Sequence, residues 1–209
     1  MLINNVKITE NRIVAIVESN KKNIIKLDEL NLYDNTPKNS LDFILEDKNY
    51  SDETKNKKIE ELFKMVDLPL SLLNRKINTL SESEKIKLYF AKKLLNNLDT
   101  IVIDDFFKFL DLKNKNKIIK ILIKLKKYHN KTIYIYTNDL NNIFEFIDDI
   151  LYVKGNKTIY NNKYDFFKEN NEFIPEIVHF VNLLKNKCYN IKYKDSINEL
   201  IKEIYREMR

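Results

Sequence analysis

Glycine is almost absent from this chain: its 209 residues contain one, Gly155. Glycine adopts positive φ at the least cost and allows a backbone to approach a ligand closely. The chain therefore has almost no capacity for the glycine-built loops that surround nucleotide phosphates. Glutamine is absent altogether, which excludes any site built on a glutamine side chain.

Cysteine and long apolar runs are scarce as well. A single cysteine, Cys188, cannot form a disulfide within the chain, which fits a reducing compartment, and we expect it to be a small packed residue. No stretch approaches the roughly 18 apolar residues of a membrane span, and the first residues lack the pattern of a signal peptide. We therefore expect a cytoplasmic protein whose contact with a membrane is peripheral.

Charge of one sign does not dominate the sequence. Lys and Arg number 37 against 31 Asp and Glu, and the lysines are interspersed with acidic residues. This pattern is typical of a solvated surface, so we expect no nucleic-acid partner. Two isolated histidines, His129 and His179, have no metal-ligand constellation around them, and we expect no metal site. Hydrophobic residues make up 44% of the chain, which is enough for a core.

The apolar periodicity predicts strands that alternate with helices. Unbroken apolar strands in such an alternation are typical of an α/β fold with a parallel sheet covered on both faces. The predicted strands are 3–8, 13–17, 100–105, 132–136, 150–153 and 157–160, with a turn at Gly155-Asn156. The predicted helices are 24–33, 41–45 after a Ser40 cap, 51–66, one after Ser81, 113–128, one from Asp139, and others that start near Pro175 and Ser196.

Five short segments between residues 80 and 139 carry the residues that are candidates for function. Leu80-Ser81-Glu82-Ser83-Glu84 has the form of a capping box, and the helix it opens carries Ala91-Lys92-Lys93-Leu94. The apolar strand 101–103 ends in Asp104 and Asp105, at the end of a strand where ligands bind in open α/β sheets. Phe109-Leu110-Asp111 and Thr137-Asn138-Asp139 follow.

The order and spacing of these segments resemble the ATP-binding subunits of ABC transporters. In that family a Leu-Ser-Gly-Gly-Gln signature opens a helix, a strand ends in the Asp-Glu of Walker B, a D-loop ends in Leu-Asp, and a switch histidine stands in a Thr-His-Asp context. The resemblance implies a P-loop NTPase-like ABC ATPase core, a mostly parallel sheet with flanking helices, in residues 1–162. It also implies a helical subdomain at about 37–97, a reduced β subdomain, and, in residues 163–209, a C-terminal helical extension like that of energy-coupling-factor ATPases.

The phosphate-binding half departs from the family. The family's Gly-x-x-x-x-Gly-Lys-Ser/Thr loop surrounds phosphates with backbone N–H groups. The corresponding stretch here has no glycine, and it places a carboxylate where phosphate would lie; it consists of Glu18, Ser19, Asn20, Lys21 and Lys22. The resemblance therefore implies a degenerate phosphate loop and no nucleotide bound by this chain alone.

Three further features of the catalytic site are altered. Asp104 matches the Walker B aspartate that holds Mg²⁺, whereas Asp105 replaces the glutamate that activates water and is one methylene shorter. Asn138 replaces the switch histidine, and its amide cannot carry the same charge. The glutamine loop has no counterpart, because the chain contains no glutamine. Together with the lost phosphate loop, these changes argue against hydrolysis.

The signature half completes a partner's site in an ABC dimer, and here it is partly kept. Ser81 could face a partner's γ-phosphate from the N-terminus of its helix. Glu82 and Ser83 replace the two glycines, and Glu82 adds negative charge near the phosphate. An ordinary capped helix that ends its box at Glu84 explains the segment equally well. Asp111, in the D-loop position, could support dimer contacts.

Three functional hypotheses follow. In the first, the chain is a catalytically impaired ABC subunit at the inner face of the cell membrane; it pairs with an intact ABC ATPase homologue and docks on a membrane permease or coupling protein. In the second, Ser81 and Asp111 act on MgATP held by the partner in a composite site. In the third, the chain is a soluble regulatory or nucleic-acid-associated protein on an ABC scaffold.

Overall fold

The computed structural model describes residues 2–3, 6–18, 36–95, 99–169 and 172–207. The chain divides into two units: Met1–Asn23 together with Thr132–Arg209, and Ile24–Lys131. The helix predicted over 24–33 lies outside the described residues. The predicted boundary between residues 162 and 163 stays a prediction.

The sheet of the first unit is built around β3 (Ile13–Glu18). β3 lies between β5 (Thr132–Tyr136) and β6 (Asp149–Lys154) and is parallel to both. β7 (Lys157–Asn162) pairs with β6 in the antiparallel direction. The first five residues of β3 are all buried, because the strand has neighbours on both sides and cover on both faces. This burial explains the unbroken apolar run in the sequence.

The strand predicted over residues 3–8 is wrong in its extent. β1 (Leu2–Ile3) and β2 (Val6–Lys7) are two short strands that pair in the antiparallel direction. An alternation over six residues does not distinguish one strand from two antiparallel halves, because both satisfy the period of two.

Gly155 lies in the two-residue turn that joins β6 to β7, at a φ of 56°. A tight hairpin of this length needs positive φ, which glycine adopts most easily. Among the described residues, six other positions have positive φ without glycine: Asn11, Asn49, Asp67, Asn130, Phe173 and Cys188. Asn and Asp are the non-glycine residues that tolerate this conformation best. Because β6 ends at Lys154 and β7 begins at Lys157, the turn predicted at Gly155-Asn156 is confirmed.

A charged network holds the amino ends of β3 and β6 together. Arg12 donates from Nε to Asp149 Oδ2 at 2.8 Å and from Nη2 to Asp149 Oδ1 at 2.5 Å. The Tyr160 hydroxyl donates to Asp149 Oδ2 at 2.8 Å, and Asp148 Oδ2 accepts from the backbone N–H of Ile13 at 2.8 Å. Asp149 is only 4% exposed, and its hydrogen bond raises the pKa of the Arg12 guanidinium. The start of β3 is therefore fixed to its neighbour by buried polar contacts.

The described residues of the second unit form helices and one strand. The elements are α1 (Pro37–Leu45), α2 (Asp52–Met65), α3 (Glu82–Leu95), β4 (Thr100–Asp104) and α4 (Leu112–His129). Side chains cap the starts of these helices, as at Ser51, whose Oγ accepts from Thr54 N at 3.3 Å. The predicted cap at Ser40 is wrong, since Thr36 caps α1 and Ser40 lies inside the helix. Pro37 suits the first turn because its fixed φ is helical and it has no N–H to satisfy.

Three helices follow the sheet in the first unit: α5 (Lys163–Glu169), α6 (Glu176–Asn186) and α7 (Ile197–Glu207). The predicted helix starts near Pro175 and Ser196 are confirmed. No helix in the described part of the chain is long and apolar enough to cross a bilayer. Cys188 is exposed, so the expectation that it is packed is wrong; it occupies a left-handed turn position after α6.

The helix predicted from Asp139 is a single short turn, Leu140–Asn142. Asp139 Oδ1 accepts from the backbone and side-chain N–H groups of Asn141, both at 3.0 Å. Asp139 Oδ2 accepts from the Asn142 side chain at 2.9 Å. Asp and Asn side chains that bond to nearby polar groups compete with helical hydrogen bonds, which accounts for the short turn.

Candidate functional site

The start of α3 forms the capping box that the sequence predicts. The Ser81 N–H donates to Glu84 Oε2 at 2.8 Å, and the Glu84 N–H donates to Ser81 Oγ at 3.3 Å. Each side chain thus accepts a hydrogen bond from the backbone N–H of the other residue at the start of the helix. Glu82 and Glu84 both lie in its first turn, and Ser81 itself is exposed.

This closed box adds negative charge at the N-terminus of α3. A helix N-terminus attracts anions through its free N–H groups and the positive end of its dipole. Here, the Glu84 carboxylate already accepts from one of those N–H groups and complements the dipole. An incoming phosphate would meet two negative side chains in the first turn rather than open backbone.

The carboxylates at the end of β4 are bound by their own unit. Asp104 Oδ2 accepts from the Tyr89 hydroxyl of α3 at 3.1 Å. Asp105 is 4% exposed, and its Oδ1 accepts from the Phe107 N–H at 3.1 Å. A carboxylate that bonds to the N–H two residues later closes a local turn. Asp105 therefore shapes the backbone after the strand.

An aromatic cluster fixes the turn that follows Asp105. Phe106 is fully buried, with its ring centroid 5.0 Å from that of Phe107, 6.0 Å from that of Phe90 and 6.1 Å from that of Tyr89. Edge-to-face and offset contacts at such distances are favourable. Phe106 and Phe107 are therefore core residues of this unit.

Asp111 caps α4 and connects it to α3 through Asn114. Asp111 Oδ1 accepts from Asn114 N at 2.8 Å, and Asp111 Oδ2 accepts from Asn114 Nδ2 at 2.7 Å. The same Nδ2 group lies 3.5 Å from Ser83 Oγ. The bond from the Asn114 N–H lowers the pKa of Asp111. The signature and D-loop positions are therefore joined within one unit.

The carboxyl ends of β3 and β5 carry the remaining candidate residues of the first unit. Ile16 lies opposite Tyr136, so Glu18 and Asn138 each stand two residues beyond that pair at the same edge of the sheet. Thr137 N donates to the Ile16 carbonyl at 3.0 Å. The other residues of the predicted phosphate loop, Ser19, Asn20, Lys21 and Lys22, lie outside the described residues.

Two residues of the candidate site carried no signal in the sequence. Tyr89 lies in an apolar stretch of α3 and looks like a core residue, yet it donates to Asp104. Asn114 lies among the lysines of α4, yet it bridges Asp111 and Ser83. Both roles depend on how α3 packs beside β4 and α4, which local patterns do not encode. Within the described ranges, no group of three or more His, Cys, Asp or Glu side chains could hold a metal ion.

The fold is that of an ABC ATPase cassette. The chain matches the dimeric structure of MJ0796, a bacterial ABC transporter cassette by its description, with a TM-score of 0.62 and 23% identity over 75% of this chain and 88% of that one. It also matches cbiO1 from Clostridium perfringens, described as part of the ABC transporter complex cbiONQ. That match has a TM-score of 0.63 and 18% identity over 88% of both chains. The predicted α/β cassette fold is confirmed.

The homologues of this chain are ABC transporter ATP-binding proteins. The uncharacterised ABC transporter ATP-binding protein MJ0796 of Methanocaldococcus jannaschii is 34% identical over 104 residues, which are 50% of this chain and 44% of that protein. The energy-coupling factor transporter ATP-binding protein EcfA2 of Mycoplasmopsis synoviae is 30% identical over 151 residues, 69% of this chain and 48% of that protein. The chain thus aligns with about half the length of each of these relatives. No family model matches it.

The capping box gives a first prediction. We expect Ser81→Ala to lower the free energy of unfolding by about 1 kcal/mol, because the Glu84 N–H loses its acceptor. Urea unfolding followed by circular dichroism measures the change. Ser71→Ala, at an exposed position, is the matched control and should stay within about 0.5 kcal/mol. Equal effects of the two substitutions would show that the cap contributes nothing.

Asp67 gives a prediction about pH. Its Oδ2 lies 2.5 Å from Lys117 Nζ and 3.6 Å from Lys87 Nζ, and the hydrogen bond from Lys117 lowers the pKa of Asp67. A carboxyl whose pKa is lower in the folded state stabilises the fold above its unfolded pKa of about 3.9. That contribution is lost as the pH falls through the folded pKa.

We therefore expect Lys117→Met to flatten the fall in the urea midpoint between roughly pH 5 and pH 2, compared with the unmodified chain. Lys120→Met, which removes an exposed lysine of the same helix, should leave that pH dependence unchanged. A pH profile that Lys117→Met leaves unchanged would contradict the assignment.

Proposed function

We propose that this chain is an ABC transporter ATP-binding-type subunit that neither binds nor hydrolyses ATP on its own. In this proposal it pairs with an active ABC ATPase homologue and docks on a membrane permease or coupling protein at the inner face of the membrane. The partner holds and hydrolyses the nucleotide, while this chain supplies the second half of the two-fold assembly. The similarity of this chain to ABC transporter ATP-binding proteins, in fold and in sequence, supports the transporter role.

The observation that carries the proposal is the position of the only glycine. Gly155 occupies the β6–β7 turn at positive φ, so no glycine is left for the loop after β3. A phosphate loop without glycine cannot bring successive backbone N–H groups around a phosphate chain. Glu18, the last residue of β3, adds a carboxylate at the entrance to that loop.

The carboxylates of the second unit also fit MgATP poorly. Asp104 accepts from Tyr89, and Asp105 is buried and bonds to a backbone N–H. A Walker B pair needs one carboxylate free for Mg²⁺ and its water, and one for the attacking water. At the signature end, the Glu84 carboxylate accepts from the Ser81 N–H and adds negative charge near the helix start. These contacts favour a structural role for the positions that carry chemistry in the family.

Calorimetric titration of MgATP into the full chain tests the first part. We expect no saturable binding in the micromolar range, whereas an ABC ATPase with an intact glycine-rich loop should bind under the same conditions. Micromolar binding to this chain would overturn the proposal.

The second part of the proposal, pairing and docking, is tested by co-expression with an ABC ATPase homologue and a permease. Co-purification with nucleic acid instead would favour the regulatory or nucleic-acid hypothesis.

The composite-site hypothesis predicts a different result in the reconstituted pair. If Ser81 and Asp111 act on the partner's nucleotide, Ser81→Arg should abolish the ATPase activity of the pair. Because Glu84 already closes the helix start, we expect Ser81→Arg to change that rate by less than about twofold. Ser71→Arg, which adds the same charge at an exposed position of the same unit, is the control.

A further inference from the structure

A second candidate site lies in the second unit, apart from the residues discussed above. It is a pocket of about 310 Å³ that lies among the ends of α1 and α3, one face of α2, the start of β4 and the end of α4. We call it the α1–α4 pocket. Small-molecule sites have volumes of roughly 300–1,000 Å³, so the pocket suits a small ligand. None of the predicted nucleotide-site residues that the structure describes lines it.

The floor of the α1–α4 pocket is apolar. Leu45, Leu62 and Ile101 are 1%, 7% and 6% exposed, respectively. Leu94, Leu95 and Leu125 are half-buried and extend the same surface. A floor of this kind favours a flexible hydrocarbon chain over a polar ring, because it offers close contacts and few hydrogen-bonding groups. The floor therefore indicates the tail of a ligand.

The rim of the pocket is cationic. Lys48 Nζ donates to the Leu95 carbonyl oxygen at 2.9 Å, and Lys58 Nζ lies 4.9 Å above the Tyr50 ring. Both partners are neutral, so neither cancels the charge of its ammonium group. The third rim lysine, Lys131, lies 3.4 Å from the carboxylate of Asp99.

Among the described residues that line the pocket, there are three lysines and one carboxylate, Glu61. A ligand head group with one negative charge would lie close to the ammonium groups of this rim. The partners of Lys48 and Lys58 are a carbonyl and an aromatic face, and a carboxylate or phosphate is the stronger partner for an ammonium group. The rim therefore indicates an anionic head.

We propose that the α1–α4 pocket binds an amphiphilic anion, with an unbranched hydrocarbon tail on the leucine floor and a carboxylate or phosphate head at Lys48 and Lys58. This inference goes beyond the proposed transporter role and does not depend on it. A ligand bound here touches α1, α2, α3 and α4 together and stabilises the second unit by mass action. The chemistry of tail and head is shared by fatty acids and alkyl phosphates.

The first experiment titrates the full chain with decanoate, decyl phosphate, octanoate and decanol, with calorimetry as the readout. We expect saturable binding of decanoate or decyl phosphate, and the tighter of the two identifies the head group. Octanoate should bind about 15-fold more weakly than decanoate, because each buried methylene contributes about fourfold. Decanol, which has the same tail and a neutral head, should bind at least tenfold more weakly than decanoate.

The second experiment uses variants that keep the fold. Lys48→Met combined with Lys58→Met retains both apolar stems and should weaken decanoate at least tenfold while leaving decanol unchanged. The matched control combines Lys120→Met with Lys124→Met, which removes the same charge from the exposed face of α4. Met65→Glu, at a rim position that is 51% exposed, should also weaken decanoate, whereas Met65→Gln should not.

Three results would overturn the proposal. One is the absence of saturable binding by either anion; another is binding of decanol as tight as that of decanoate. The third is an equal loss of affinity in the Lys48/Lys58 and Lys120/Lys124 variants, which would show attraction to overall charge alone. Circular dichroism melting of every variant identifies a loss that comes from unfolding, and Met65→Glu, which removes no lysine contact, then tests the site independently.

Discussion

Replacing Phe106 with alanine is expected to lower the free energy of unfolding by about 3–5 kcal/mol. The side chain is fully buried and its ring touches three other aromatic rings, so the substitution removes apolar contact and leaves a cavity. Urea unfolding of the full chain measures the loss. Because Phe106 directly follows Asp105, the substitution should also loosen the turn at the end of β4.

Phe109→Ala is the matched control for this prediction. It removes the same ring three residues later, where the side chain is 43% exposed. We expect a loss below about 1 kcal/mol, since surface substitutions rarely cost more. Similar losses for Phe106 and Phe109 would contradict the assignment of Phe106 to the core and would favour a surface role for both rings.

The second large effect is expected at Arg12. Arg12→Met leaves the Asp149 carboxylate buried without its cation and should cost about 3–5 kcal/mol. Asp149→Ala should cost less, because the Arg12 side chain is 33% exposed and water can solvate the guanidinium that remains. The asymmetry follows from burial: the carboxylate is the partner that cannot return to water.

A double-mutant cycle measures the interaction between Arg12 and Asp149 directly. The Arg12→Met, Asp149→Ala double variant should be less destabilised than the sum of the single variants by more than about 1 kcal/mol. Asp165→Ala, which removes a carboxylate from an exposed pair with Lys168, should cost less than about 0.5 kcal/mol. Additive effects at Arg12 and Asp149 would show that the two residues stabilise the fold independently.

Each of these two sites lies next to a segment that the resemblance assigns to nucleotide binding. Arg12 and Asp149 anchor the start of β3, the strand that leads to the predicted phosphate loop. Phe106 sets the turn after the Walker B position. Buried contacts therefore hold the segments around these positions, and the proposed assembly role requires such a scaffold.

Local patterns in the sequence were sufficient for several features. The capping box of Ser81 and Glu84 spans three residues, so its sequence form and its geometry coincide. The buried strands β3 and β5 appear as unbroken apolar runs because both of their faces are covered. The ABC layout was recognisable because it depends on the order and spacing of short segments.

Where side chains compete with the backbone, local patterns failed. Ser40 has the form of a helix cap, but Pro37 allows the helix to start earlier, and Thr36 is its N-cap. Asp139 has the form of a helix start, but its carboxylate bonds to Asn141 and Asn142 and holds a single turn. In both cases two local signals conflict, and the sequence does not show which of them is stronger.

The sequence by itself determined the class of fold and the absence of glycine from the stretch after β3, because both depend on residue identity and spacing along the chain. Only the tertiary structure decided which groups the surviving carboxylates contact. Asp104 meets Tyr89 fifteen positions away, and Arg12 meets Asp149 at a separation of 137 positions. It also decided that apolar side chains from four helices and a strand line one pocket together with three lysines. Such contacts form when distant segments pack to bury apolar surface, and no local pattern records the partner that packing will bring.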